Sequence, residues 1–446
     1  MTDQQKKINF IEKTLPKLIL ERNEEFKGHT IVKCTATPNS QLDGFMAAIY
    51  SVELVLKNPN EEIENHKIIV KIMKGDHDFR EKTSSFLQCS NEIYSYRNVI
   101  SYFKKFITEN PVTTFNPDKW VPRIYYADYK VFEELNDEVE CVLALENLTP
   151  QGFRLGPRID LDAKHLSLMV EHIASYHAVS YAMKIKNDPM FGELASGLNP
   201  FEFLSDDGKE MQSYNILFKI GLERVFTLAE KTKELHSDTV LMDSVRKIKE
   251  KMYERPVVIM QKLLAKDDTF CVLLHGDYNR NNVLFRYDKP EGFDNPLELR
   301  MFDYQETRVA TPTIDLAFFM YMNNIPTIEG IWDELLELYH RTYMKCLIDI
   351  LKCEENDPRL LPYSFENFID HFTKHAFYGV MTCFHFVPFM ACSSEECERI
   401  SYLFETDMKG DEFRQILQVC GGQSLDERLI NALVHSHKKG YLKIFD

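Results

Sequence analysis

Residues 275 to 305 constrain the fold more than any other stretch of the chain. They open with His275-Gly276-Asp277-Tyr278-Asn279-Arg280-Asn281-Asn282 and close with Met301-Phe302-Asp303-Tyr304-Gln305. Between them lie two β-prone runs, Val283 to Tyr287 and Leu297 to Phe302, separated by a polar turn rich in Pro, Gly, Asp and Asn. That pattern predicts a β-hairpin. A hairpin brings its two ends together, so Asn282 and Asp303 should meet although twenty-one positions separate them. An aspartate followed five residues later by an asparagine puts a proton acceptor, Asp277, and a metal ligand, Asn282, on one tight loop. Asp303 can then hold Mg²⁺ from the returning strand. Phosphoryl transfer uses such an arrangement because its catalysis is mostly positioning and charge neutralisation. His275 is read as ordering the loop through hydrogen bonds.

A second constellation lies upstream. Three β-rich segments, Thr30 to Ala36, Phe45 to Leu56 and His66 to Met73, predict a small antiparallel meander. Lys71 closes the last of them, where a strand lysine can reach nucleotide phosphates. A helix follows, with an apolar stripe of Phe86, Cys89, Ile93, Tyr96, Ile100, Phe103 and Ile107. Glu92 flanks that stripe and can hold Lys71 by an ion pair. Taken singly, a strand lysine or a helix glutamate is ordinarily a solvated charge; in this order, after three strands, the two point to a nucleotide site. The loop between the first two strands holds one glycine, Gly44, beside Ala47 and Ala48. It is a poor phosphate cradle by composition, though its small residues permit close approach. No Gly-x-x-x-x-Gly-Lys-Ser/Thr element exists, which argues against a P-loop enzyme.

Strands are also predicted at Ile124 to Phe132 and Glu140 to Leu145, after which the pattern turns helical, most clearly from Asp162 to Lys184. The fold class is therefore α+β with two lobes, β-rich at the N-terminus and mainly helical at the C-terminus. We place the nucleotide-binding lobe at 1–146 and the catalytic and acceptor-binding lobe at 147–446. Asp315 reads equally as a helix N-cap or as a brace for the catalytic loop. The aromatics Phe377, Phe384, Phe386 and Phe389 read as core ahead of pocket.

Composition narrows the partners. Lys+Arg number 53 against 69 Asp+Glu, a formal charge of -16, with no basic block, so nucleic acid and anionic membrane are unexpected partners. The apolar stretch from His375 to Cys392 contains two histidines and Pro388, which favours a buried helix over a membrane span. The N-terminus shows no apolar signal core, and ten scattered cysteines include no Cys-x-x-Cys pair. A cytoplasmic protein with reduced thiols is expected.

The His-Gly-Asp motif with its later Asn, the Asp303-Tyr304-Gln305 tripeptide, Thr313-Ile314-Asp315-Leu316-Ala317 and Leu143-Ala144-Leu145-Glu146-Asn147-Leu148 together resemble the insect ecdysteroid-kinase-like proteins. These are relatives of choline and aminoglycoside kinases within the protein-kinase-like fold. The resemblance implies ATP and Mg²⁺ as cofactors, Asp277 as base, Asn282 and Asp303 as metal ligands, and a Lys71 to Glu92 pair. It also implies a hinge at Glu146-Asn147-Leu148, with the backbone at Glu146 and Leu148 meeting adenine. The acceptor it implies is a hydroxyl of an ecdysteroid or related steroid. A choline-like or xenobiotic hydroxyl kinase, and a non-catalytic binding protein of the same shape, are the alternatives. Tyr304 stands where the family usually has Phe. The His-Arg-Asp, Asp-Phe-Gly and Ala-Pro-Glu elements of protein kinases are missing, so a protein substrate is not expected.

Overall fold

The computed structural model of the chain describes residues 2–39, 47–135, 138–205, 207–264 and 269–446. Strands β1 (Thr30–Pro38), β2 (Ala47–Lys57) and β3 (Ile63–Met73) form the expected meander. With β4 (Ile124–Val131) and β5 (Val139–Glu146) they make a five-stranded sheet in the order β1-β2-β3-β5-β4. Side chains alternate across a strand. Tyr50, Val52 and Leu54 of β2 and Ile68, Val70 and Ile72 of β3 therefore share one face. There they pack on Phe10 and Ile11 of the helix Asp3–Lys13 and on Leu15 and Ile19 of the helix Leu15–Arg22. Each such burial contributes about 1.5–3 kcal/mol relative to exposure. Lys71, between Val70 and Ile72, is turned by the same alternation to the opposite face. Its register partner on β5 is Leu143, a member of a second and larger core.

That larger core runs from the inner face of the sheet, through the segment 85–109, into the helices of the C-terminal lobe. The segment is helical throughout but not uniformly α. An α-helix Ser85–Tyr94 passes through a π-turn, Ser95–Ile100, into an α-helix Ser101–Glu109. Two serine side chains compete for backbone carbonyls at this point: Ser95 Oγ donates to Asn91 O at 2.8 Å and Ser101 Oγ donates to Tyr96 O at 3.1 Å. Such π-turns occur frequently at functional sites.

The C-terminal lobe is built on the helices Ala163–Ile185, Gln212–Lys231, Thr313–Tyr321, Trp332–Leu351, Phe377–Ala391 and Gly422–Lys438. Asp162 caps the first of these by accepting from His165 N at 3.0 Å. The helix Phe377–Ala391 is the expected buried one, and among the described residues no helix is long and apolar enough to cross a membrane. It crosses Thr313–Tyr321 at backbone contact, since a Cβ on Gly379 would lie 2.3 Å from Ala317 O. Set into this helical lobe are β6 (Phe153–Arg154), β7 (Val272–Leu273), β8 (Val283–Tyr287), β9 (Pro296–Met301) and β10 (Val309–Ala310). Strands β8 and β9 are the predicted hairpin, with β6 on the outer edge of β8, while β7 pairs with β10. The fold is thus α+β, with a sheet lobe and a helical lobe. Ten cysteines are present and all are free.

Candidate active site

The sheet and the hairpin deliver their charged residues to one cleft. Lys71 Nζ lies 2.8 Å from Glu92 Oε2 and 2.8 Å from Asp303 Oδ1. Glu92 is 1% exposed, Lys71 19% and Asp303 25%, so the pair is sealed on the helix side and open toward the cleft. Burial opposes the charge on Lys71, but Asp303 and Glu92 outweigh it and hold the ammonium well above its ordinary range. Burial likewise pushes the Asp303 carboxyl up, and Lys71 more than reverses this. Asp303 sits in the left-handed region, φ 65°, just past the end of β9. Its backbone N–H donates to Tyr96 Oη at 3.2 Å, a contact made from the π-turn.

The candidate catalytic loop, residues 275–282, lies between β7 and β8. Asn282 Nδ2 donates to Asp277 Oδ2 at 2.8 Å and to Asp277 O at 2.9 Å, while Asn279 Nδ2 donates to Asp277 Oδ1 at 2.7 Å. Both carboxylate oxygens of Asp277 are thereby oriented, and the amide oxygen of Asn282 is the atom left for a cation. The hairpin ties in where Phe302 N donates to Asn282 O at 3.0 Å. His275 is fully buried, with Nε2 3.0 Å from Phe302 O, and burial lowers its pKa. It links the loop to the strand that carries Asp303.

Asp315 resolves to one of its two readings. Pro312, not Asp315, precedes the helix Thr313–Tyr321, and the Asp315 carboxylate accepts from His275 N and Gly276 N, each at 2.9 Å. His177 Nε2 lies 3.1 Å from the same carboxylate, and its Nδ1 lies 2.9 Å from Tyr339 Oη. Gly276 permits this backbone path: it has φ 87°, and a Cβ there would fall 1.9 Å from Glu306 O.

Four carboxylates, Glu92, Asp277, Asp303 and Glu306, gather around the loop with two cations, Lys71 and Arg308. Burial and the neighbouring Asp303 and Glu306 charges hold the Asp277 carboxyl well above the usual carboxylate range. The surplus of negative charge fits a divalent cation. Among the described residues no three His, Cys, Asp or Glu side chains gather as a metal site. One carboxylate and one amide oxygen nevertheless suit Mg²⁺, which keeps several waters and shares substrate phosphates.

At the sheet exit, Glu146 N donates to Arg123 O at 2.8 Å and Asn147 N to Lys67 O at 2.9 Å. The Glu146 side chain accepts from Gln151 Nε2 at 2.7 Å, and Leu148 is buried. Gly44 lies outside the described residues. Sequence reasoning passed over Asn279, Glu306, Arg308 and Tyr96. Asn279 lay in plain view within the loop motif, whereas no pattern marks a π-turn tyrosine or an acid three residues beyond Asp303.

A model of the ecdysteroid kinase-like family matches residues 41–352. The chain belongs to that family. It is accordingly a phosphotransferase with an alcohol group as acceptor, and its architecture is α+β with two lobes. No curated protein sequence matches it. Among solved structures, it is similar to an ethanolamine kinase of Plasmodium vivax at 11% identity, covering 92% of this chain and 89% of that one, with a TM-score of 0.35. It is also similar to a macrolide 2'-phosphotransferase of Brachybacterium faecium at 11% identity, covering 91% and 96%, with a TM-score of 0.33. A glucosamine kinase in complex with glucosamine, ADP and inorganic phosphate matches at 8% identity, covering 92% and 97%, with a TM-score of 0.26. Superpositions this loose carry no information on substrate.

Beside the loop, this ecdysteroid kinase-like chain presents one face of the helix Phe377–Ala391. Phe377 and Phe384 are buried in the core as expected, but Phe386 and Phe389 are only half-buried, together with Tyr378, His385 and Met390. The two sets lie on opposite sides of one helix. Asn281 Nδ2 approaches Met390 Sδ at 3.9 Å, which sets the half-buried face against the catalytic loop. Tyr378 and Tyr214 lie near enough to feel the charges of Asp277 and Glu306.

Proposed function

We propose that the chain transfers the γ-phosphoryl group of Mg-ATP to a hydroxyl of a neutral, largely apolar small molecule, a steroid of the ecdysteroid type or a xenobiotic alcohol. The observation that carries this reading is the convergence of Lys71, Glu92, Asp277, Asn282 and Asp303 on one cleft, from segments as far apart as 232 residues. In the proposed reaction the acceptor oxygen bonds to the γ-phosphorus, the bond from that phosphorus to the β–γ bridging oxygen breaks, and ADP departs. Asp277 accepts the hydroxyl proton, its carboxylate held in place by Asn279 and Asn282. Asp303 and the amide oxygen of Asn282 would hold Mg²⁺, which in this chemistry neutralises charge on the transferring phosphoryl group. Lys71, fixed by Glu92, would reach the nucleotide phosphates, and the backbone at Glu146 and Leu148 would meet the base. On this reading residues 1–146 bind nucleotide and 147–446 carry catalysis and the acceptor.

A neutral acceptor is favoured over a choline-like cation by the state of Glu306. Its carboxylate accepts from Arg308 Nη2 at 3.0 Å and from Gln88 Nε2 at 2.7 Å, so it is already compensated. A quaternary ammonium would want an uncompensated acid beside its aromatic cage. The half-buried Phe386, Phe389 and Met390 instead suit an apolar body. The ten free thiols are in keeping with a cytoplasmic, reducing setting.

The test is label transfer from γ-labelled ATP with Mg²⁺ to a panel of ecdysteroids, neutral xenobiotic alcohols, choline and aminoglycosides, comparing the native chain with Asp277→Asn. Label on a neutral alcohol, with the native chain only, is the expected result. Label on choline would overturn the substrate class, and failure to bind Mg-ATP would favour a binding protein of the same shape.

A further inference from the structure

A cavity of about 490 Å³ lies between β9, the helices Ala163–Ile185 and Trp332–Leu351, and residues 114–119. Its volume is in the range that holds a small organic molecule. Leu168, Leu297, Leu299, Leu338 and Phe115 give it an apolar lining. Its charge runs against that of the whole chain, which is -16. Lys119, Arg300, Arg341 and Lys345 line it, against Glu171 and Glu298.

Glu298 is heavily shared. Lys119 Nζ lies 3.6 Å from it and Arg300 Nη2 3.2 Å, while Arg286 makes a third pair from outside the lining. On the opposite wall Arg341 and Lys345 stand one helical turn apart, and neither has an ion-pair partner among the described residues. Two cations are thus unpaired and two more share one carboxylate. Arg341 and Lys345 both lie exposed along the cavity wall, where their donors are open to an arriving anion. Arginine and lysine on facing walls of an apolar cavity match a dianionic headgroup on an apolar body.

We propose that this cavity is a binding site for an amphipathic phosphate monoester, with the phosphate between Arg341, Lys345 and Arg300 and the apolar part against the leucines. The site would be separate from the nucleotide cleft and does not depend on the phosphotransferase reading. The cavity also carries its own optical reporter. Trp120 Nε1 donates to Ser175 Oγ in the lining at 2.9 Å, and only two tryptophans are present in the chain. The other, Trp332, is packed against His435 and Tyr441.

Titration calorimetry of the full chain with octyl phosphate tests the site, in the presence and absence of saturating Mg-ADP, alongside octanol and octanoate. Octyl phosphate is expected to bind with Mg-ADP present, with a change in Trp120 fluorescence, and at least tenfold more tightly than octanol or octanoate. Arg341→Gln combined with Lys345→Gln, two exposed positions, should weaken that binding at least tenfold while leaving the thermal unfolding midpoint in place. Equal affinity in the double variant would overturn the proposal. So would loss of binding when Mg-ADP fills the cleft, or equal binding of octanol or octanoate.

Discussion

Two clusters of buried polar groups share the catalytic loop, and they are balanced in opposite ways. Behind the loop, Asp315, His177, Tyr339 and the backbone N–H groups of His275 and Gly276 satisfy one another. In front of it, four carboxylates meet two cations, and Asp277 is held in the protonated direction by burial and by its acidic neighbours. A cluster that closes its own hydrogen bonds is scaffold, because nothing further can be added without loss. A cluster that leaves charge over is completed by something that arrives. The contrast separates the two loop-associated aspartates by function, although both are deeply set.

The largest effect expected from breaking this contrast is in turnover. Asp277→Asn removes the proposed proton acceptor and should lower kcat by about 10²–10⁴-fold, the usual worth of a general base. It should leave urea stability unchanged or raised, because it also relieves the crowding of like charges. Parallel assays of label transfer and urea unfolding decide the matter, and normal turnover would remove Asp277 from the mechanism. Asp315→Ala should do the reverse of the second result. Two N–H groups and His177 would be stranded, costing about 3–5 kcal/mol of folding stability. A urea midpoint that barely moves would show that the brace is not structural.

A smaller effect is expected where the cleft meets its cation. Asp303→Asn retains a residue type that tolerates positive φ but removes the carboxylate. In the native chain Mg²⁺ should tighten ADP binding. In the variant that gain should fall by about tenfold, or about 1.4 kcal/mol. Calorimetry with and without Mg²⁺ would show it, and an unchanged gain would move the metal elsewhere.

The smallest effect is that of any one scaffold histidine on the pH dependence of stability. Burial pushes His172 down to about 3, and His385 and His435 down to about 4. The folded chain keeps them neutral while the unfolded chain protonates them near 6.5. Their contribution is therefore full above that value and lost as pH falls toward the folded values. The loss is at most about 1.4 kcal/mol per pH unit for each group. Urea unfolding at pH 7.5 and 5.5 (values chosen at about one unit either side of the ordinary histidine range) isolates this term by comparison with His435→Gln, which should lose less stability on acidification than the native chain. The same midpoint change on acidification in the native chain and in His435→Gln would contradict the assignment.

Much of this was written in local pattern. Runs of β-forming residues placed the meander strands to within a few residues, and β8 was located residue for residue. The hairpin geometry then implied that Asn282 and Asp303 approach one another, and Phe302 N on Asn282 O is that approach. What stayed hidden depends on contacts distant in sequence. The Asp315 brace joins residues 40 and 39 positions apart, and His177 reaches it from 138. The π-turn that aims Tyr96 is decided by two serine hydroxyls competing for carbonyls, and a stripe of apolar residues does not record that competition. The aromatic helix Phe377–Ala391 was legible as helix. Which of its faces is core was not, because it is apolar all round.

The span of 232 residues between Lys71 and Asp303 has a consequence for biosynthesis. As the chain leaves the ribosome, Lys71 and Glu92 emerge long before the acid that completes their cluster. Asp277 then appears ahead of the Asp315 carboxylate that fixes its loop. No nascent fragment ending before residue 315 holds the assembled machinery. Premature release would therefore yield an inert piece in place of an unregulated phosphate-transferring fragment.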